Sequence, residues 1–226
     1  MPKERTDQNG GESVDLRPGG KTYPLLRGGP VIAIPVETAS LGSAVRLQSQ
    51  LDVVRDFSER LDAVEIGYML TGSMAMNFYS LPCLPRNLDF VINLKATDAE
   101  AMVRLFKPDY DITREAVDSA VAQQSFFNLV HRKTHIKVNG IVCQQIKYRL
   151  TEFNRRQRVK FENLKTWIVS KEDLIISKLH WARRSRSERH LRDVANLAAT
   201  GCDTAYVERW THALGIFTLW EECAQC

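Results

Sequence analysis

Apolar residues begin to recur with a helical period only after the first forty positions. Leu47, Leu51, Val54, Phe57 and Leu61 fall at three- and four-residue steps, which predicts an amphipathic helix from about Ser43 to Asp62. IGYML (66–70) is a short apolar run ending at Thr71-Gly72-Ser73, the pattern of a buried strand. SMAMNFYS then reads as a short helix stopped by Pro82 and Pro85, and LDFVINL (88–94) as the next strand. Thr97 and Glu100 form a capping box opening a helix to about Phe106, and Arg114–Gln123 is expected to be another. FFNLVH (126–131) and HIKVNGIVCQQI (135–146) are strand-like, with a tight connection at Arg132-Lys133-Thr134. The basic stretch YRLTEFNRRQRVKF ends in a strand near Val159, and TWIV (166–169) is a further strand. Ser170 and Asp173 make a second capping box before the helix KEDLIISKLHWA; SERHLRDVANLAA and TAYVERWTHALG continue as helices.

Before residue 43 the pattern is different. Gly-Gly pairs recur at 10–11, 19–20 and 28–29 with no helical period between them, so Met1–Arg27 reads as a flexible or non-native leader. VIAIPV (31–36) has the character of one short strand. The expected organisation is a weakly ordered leader over 1–42, a core over 43–169 and a helical region over 170–226. The element order indicates an α/β (α+β) fold: a small mixed sheet with helices packed on it and a helical C-terminal half.

Composition narrows the class without naming a function. The chain has 226 residues, 44% hydrophobic and 26% charged, which excludes wholesale disorder and fibrous repeats. No apolar run reaches the length of a membrane span, and the polar start lacks a signal-peptide core, so a cytoplasmic protein without a membrane partner is expected. Five scattered cysteines do not read as a disulfide framework, and Cys223 with Cys226 makes a lone C-x-x-C that is more simply two tail thiols than a zinc site. The net charge of +4 hides an asymmetry: His131–Arg192 holds 17 Lys/Arg against 5 Asp/Glu, a net of +12. Such a block favours anionic partners, although solvated helix faces give the same count.

The segment that carries chemistry is LTGSMAMNFYSLPCLPRNLDFVINL. A strand delivers Gly72-Ser73 to a helix start, where backbone N–H groups and the Ser73 hydroxyl can meet phosphate oxygens. Thirteen residues separate Ser73 from Asn87, and Asn87 and Asp89 are two apart on a strand and so on one face. KVNGIV brings Asn139 as a third candidate. Each has a plainer reading. Gly-Ser before a helix is ordinary turn chemistry, Asn87 can satisfy backbone groups at a strand start, and Asn139-Gly140 is a type I′ hairpin signal.

These motifs resemble the nucleotidyltransferase fold of the DNA polymerase beta superfamily, in particular the small bacterial proteins of abortive-infection and toxin–antitoxin type. That pattern is hydrophobic-Gly-Ser, then Asp-x-Asp on the next strand, then a later Lys-Val-Asp, and the likeness runs from about Leu47 to Ala199 through FNLVH, HIKVN, EDLIISKL and SERHLRD. The resemblance implies transfer of a nucleoside monophosphate from a triphosphate to an RNA or protein hydroxyl, with Mg²⁺ held at positions 87, 89 and 139. It implies phosphate contacts from Gly72, Ser73, Lys178 and Arg86. The implied partners are a nucleoside triphosphate, RNA or tRNA through 131–192, and a cognate protein.

The chain departs from that pattern at the metal positions. Asp-x-Asp is Asn87-Leu88-Asp89, Lys-Val-Asp is Lys137-Val138-Asn139, and no Asp or Glu occurs between Asp118 and Glu152. An asparagine carbonyl can coordinate but brings no charge, while Mg²⁺ favours charged oxygens in octahedral geometry. At an effective dielectric of about 20, each charge lost some 4 Å from a dication forfeits several kcal/mol of attraction. Weak or absent Mg²⁺ binding is therefore expected, with transfer crippled or lost; the alternative is a non-catalytic nucleotide-, RNA- or partner-binding module. Lys178 is also readable as a snorkelling surface lysine, Arg86 as a partner of Asp89, and Ser187, Arg189 and Asp193 as a structural ion-pair network.

Overall fold

The computed structural model describes residues 41–80, 84–161, 163–185 and 187–224, together with a short antiparallel pairing of β1 (Ser13–Val14) with β2 (Tyr23–Pro24). The strand expected at 31–36 lies outside the described residues, as does most of the leader. The two-strand ribbon belongs to a separate unit, Met1–Val31.

In the main unit the helical period after residue 43 becomes α1 (Leu41–Ala63), with Leu51, Val54, Phe57 and Leu61 buried as the spacing requires. The strands β3 (Tyr68–Thr71), β4 (Leu88–Ile92), β5 (Tyr110–Asp111), β6 (Phe126–His131), β7 (Lys137–Val142), β8 (Gln157–Phe161) and β9 (Leu164–Ile168) form one seven-stranded mixed sheet. Their order is β5-β6-β7-β4-β3-β9-β8, with β4–β7 and β3–β9 parallel and the other pairs antiparallel. Leu88, Phe90, Ile92, Val138, Val142, Phe127 and Leu129 are buried on one face. Phe57 of α1 stacks there at 4.5 Å from Phe90 and 4.4 Å from Phe106, so helix and sheet share one aromatic core. The alternating residues of β4 and β7, Asp89, Val91, Asn139 and Ile141, stay partly open on the other face.

Two sequence expectations change here. The helix α3 (Ala99–Phe106) is entered through a 3₁₀ turn at Ala96–Asp98, and it is Asp98, not Glu100, that turns back to accept the Lys95 N–H at 2.9 Å. The tract read as a basic lead-in contains α5 (Lys147–Asn154), whose buried side are Tyr148, Glu152 and Phe153. A charged residue on the inward face hides the period. The helix α4 (Arg114–Gln123) forms as spaced, with Thr113 Oγ1 accepting from Ala116 N at 3.2 Å.

Past β9 the chain is helical: α6 (Lys171–Ser185), α7 (Glu188–Ala198), α8 (Thr204–Ala213) and α9 (Phe217–Ala224). Ser170 caps α6, its Oγ accepting from Asp173 N at 3.2 Å. Among the described residues no helix is long and apolar enough to cross a membrane.

Candidate functional site

β3 ends at Thr71, and the chain turns into α2 (Gly72–Met76) through Gly72 at φ +65°. The register places Thr71 opposite Asp89, and Asp89 level with Asn139 on β7. A Cβ on Gly72 would collide with Asp89 Oδ2. Glycine is thus required twice, by the left-handed backbone and by the carboxylate lying against it.

Asn139 Nδ2 donates to Asp89 Oδ1 at 2.6 Å. Asn139 sits within β7, its register unbroken from Lys137 to Ile141, so the hairpin-turn alternative for this residue is overturned. Gly140 has a different reason to be glycine: a Cβ there would press into the Phe127 ring that covers it. Burial pushes the Asp89 carboxyl above its usual range, opposed by the Asn139 hydrogen bond and the field of Lys178.

Lys178 corrects another expectation. It is 4% exposed, not a surface lysine, and its Nζ pairs with Asp193 Oδ2 at 2.7 Å, joining α6 to α7. The suspected ion-pair role of Asp193 therefore leads back to the site. Arg86 is exposed and does not pair with Asp89. It lies with Asn87 just before β4, in the wall of a cavity of about 510 Å³ that Arg46, Gln50, Lys133 and Lys137 also line. The structure thus brings Gly72, Asp89 and Asn139 into contact, places Lys178 within electrostatic reach, and turns Arg86 and Asn87 to the neighbouring groove.

Several side chains at this end of the sheet had no signal in the sequence. Asn128 on β6 is level with Asn139, extending the Asp89–Asn139 row by one strand. Gln50 reads as an ordinary helix residue, yet it is 1% exposed because Nε2 reaches Pro85 O at 2.8 Å, a contact between distant segments. Of the tail thiols, Cys223 is buried on α9 and Cys226 lies outside the described residues.

The donor set does not fit a pair of divalent cations. Asp89 is the one carboxylate in the Gly72–Asp89–Asn139 contact, an amide N–H occupies its Oδ1, and its burial favours the neutral form. Among the described residues no group of three His, Cys, Asp or Glu side chains is placed to hold a metal ion.

No family model matches the chain, and no curated protein matches it in sequence. Solved structures do match in shape. An antigenic nucleotidyltransferase-like protein from Paracoccidioides brasiliensis superposes at a TM-score of 0.50 with 16% identity, over 68% of this chain and 75% of that one. The antibiotic-resistance factor ANT(2″)-Ia, in complex with adenylyl-2″-tobramycin, superposes at 0.51 with 10% identity, over 73% and 96%. The chain has a nucleotidyltransferase fold.

Proposed function

We propose that this chain binds a nucleoside triphosphate at the Gly72–Ser73 turn and that its capacity to transfer the nucleotidyl group is crippled by asparagine at positions 87 and 139. The acceptor class, an RNA or protein hydroxyl, follows from the small bacterial proteins that the motifs resemble; a sugar hydroxyl would follow from ANT(2″)-Ia. The observation that carries the reading is the Asn139–Asp89 hydrogen bond. Where the related pattern sets acidic oxygens side by side, this chain sets an amide donor against its remaining carboxylate. That contact is favourable by itself and needs no cation to relieve repulsion. Three features support phosphate binding here: the turn at Gly72 into α2, the adjacent Ser73, and Lys178, a buried cation paired with Asp193 whose field reaches Asp89.

Incubation with α-labelled triphosphates of all four bases, with total RNA and with protein acceptors, is expected to give little or no metal-dependent labelling. A fluorescent triphosphate should still bind saturably, and more weakly to Lys178→Ala. Strong labelling that Asp89→Ala abolishes would overturn the crippled-transferase reading; absence of saturable triphosphate binding would overturn the nucleotide reading.

A further inference from the structure

The groove beside Asn87 gathers positive charge around one concavity. Arg46 from α1, Arg86 from the approach to β4, Lys133 from the β6–β7 connection and Lys137 from the start of β7 line one cavity of about 510 Å³. Among the described residues none of the four has a carboxylate partner. Several cations elsewhere are paired, Arg55 with Asp52, Arg60 with Asp56, Arg114 with Asp118, Arg132 with Asp111 and Arg158 with Asp62. Four unneutralised cations around one concavity repel each other and raise its potential, a condition that an anion relieves.

A second observation points to a ligand with more than charge. Gln50 forms part of the wall and is 1% exposed; its Nε2 is satisfied by Pro85 O, while its Oε1 has no hydrogen-bond partner. An orphaned, shielded carbonyl oxygen in a cationic wall calls for a hydrogen-bond donor on the anion. Ser49 and Thr134 also lie in this wall, their hydroxyls already bonded to Val45 O at 3.0 Å and His131 Nδ1 at 2.8 Å.

We propose that this groove is a second ligand site that takes a ribose phosphate: phosphate oxygens against Arg46, Arg86, Lys133 and Lys137, and a sugar hydroxyl donated to Gln50 Oε1. The volume suits a ligand of one or two nucleotide units and the charge rejects polycations. Two sources carry this chemistry, the end of a single-stranded RNA and a free sugar phosphate. The site stands on the groove alone, whether or not the chain transfers nucleotides. Asn87 lies in its wall, two residues before Asp89.

The test uses the full chain and fluorescence anisotropy with a labelled single-stranded RNA of about twelve nucleotides and a DNA of matching sequence. Ribose 5-phosphate and inorganic phosphate serve as competitors. RNA or ribose 5-phosphate is expected to bind saturably and at least about threefold more tightly than its deoxyribose counterpart. For RNA, engagement of up to four phosphates gives a log–log salt slope near −2.8, which Lys133→Ala with Lys137→Ala should reduce by about 1.4. Gln50→Leu should erase the ribose preference while leaving the salt slope, a readout that a merely structural residue would not move. Displacement of RNA by ribose 5-phosphate assigns the site to free sugar phosphates; binding of RNA alone assigns it to strand ends. Equal binding of RNA and DNA, equal competition by inorganic phosphate, or unchanged binding after the lysine substitutions would overturn the proposal. So would lysine variants that lose the fluorescent triphosphate while the parent chain binds neither ribose ligand, since the groove would then belong to the nucleotide site.

Discussion

Asp173 and Asp89 are both carboxylates drawn out of water, and their surroundings differ in kind. Asp173, 0% exposed at the start of α6, accepts from Ser170 Oγ at 2.6 Å, Tyr206 Oη at 2.8 Å and Arg155 Nε at 3.0 Å. One helix away Glu152, 2% exposed, accepts from the Arg149 guanidinium at 2.8 Å and from Ser177 Oγ at 2.6 Å, which together oppose the upward push of burial on its carboxyl. Asp89 has one amide donor, a lysine that reaches it only through space and is itself paired elsewhere, and a groove of unpaired cations next door. Stability is built where charge is cancelled inside the chain. Where cancellation is left incomplete, the missing part has to come from a ligand.

The largest effect that would break this contrast lies on the structural side. Asp173→Ala leaves Arg155, Tyr206 and Ser170 without their shared acceptor at the α5–α6–α8 junction. Removing one partner of a buried pair costs about 3–5 kcal/mol, so the melting temperature should fall by roughly 6–20 °C. A fall of less than about 2 °C by thermal melting would show that this cluster does not hold the junction.

A smaller effect of opposite sign is expected at the other carboxylate. The folded-state pKa of Asp89 lies above its unfolded value, so its ionised form burdens the fold at neutral and alkaline pH. Asp89→Asn keeps an oxygen to accept from Asn139 and removes that burden. The variant should melt roughly 2–4 °C higher than the parent at about pH 8. The gain should shrink as pH falls through the raised folded-state pKa, and vanish below the ordinary carboxylate range where both states are neutral. Melting curves across pH check it; a stabilisation that grows toward acid would reverse the assignment.

How much of this was legible in the sequence depends on whether the signal was local. The apolar spacing of α1, the Ser170–Asp173 cap and the Gly72–Ser73 turn are written within a few residues, and they appear where the spacing puts them. The helix α5 was hidden because its inward face carries Glu152, whose hydrogen-bond partners include Ser177 twenty-five residues later. The surface alternative for Lys178 arose for the same reason: burying an ammonium is costly, and the Asp193 that offsets the cost sits on the next helix. Asp89 and Asn139 could be paired in advance through the family pattern, since their sheet contact spans fifty residues. The cationic groove had no such guide. Its residues come from positions 46–50, 86–87 and 133–137, and only the fold makes them neighbours.

The central claim is that asparagine at 87 and 139 leaves too little negative charge for divalent cations, and metal-dependent melting tests it most directly. Melting temperatures of this chain and of the Asn87→Asp, Asn139→Asp variant would be compared with and without several millimolar Mg²⁺ or Mn²⁺. In the variant, a hundredfold excess of metal over its dissociation constant contributes about 2.7 kcal/mol, a rise of roughly 5–10 °C. This chain should move by less than about 1 °C. An equal response of the two proteins would contradict the account, because positions 87 and 139 would then have no part in holding a metal.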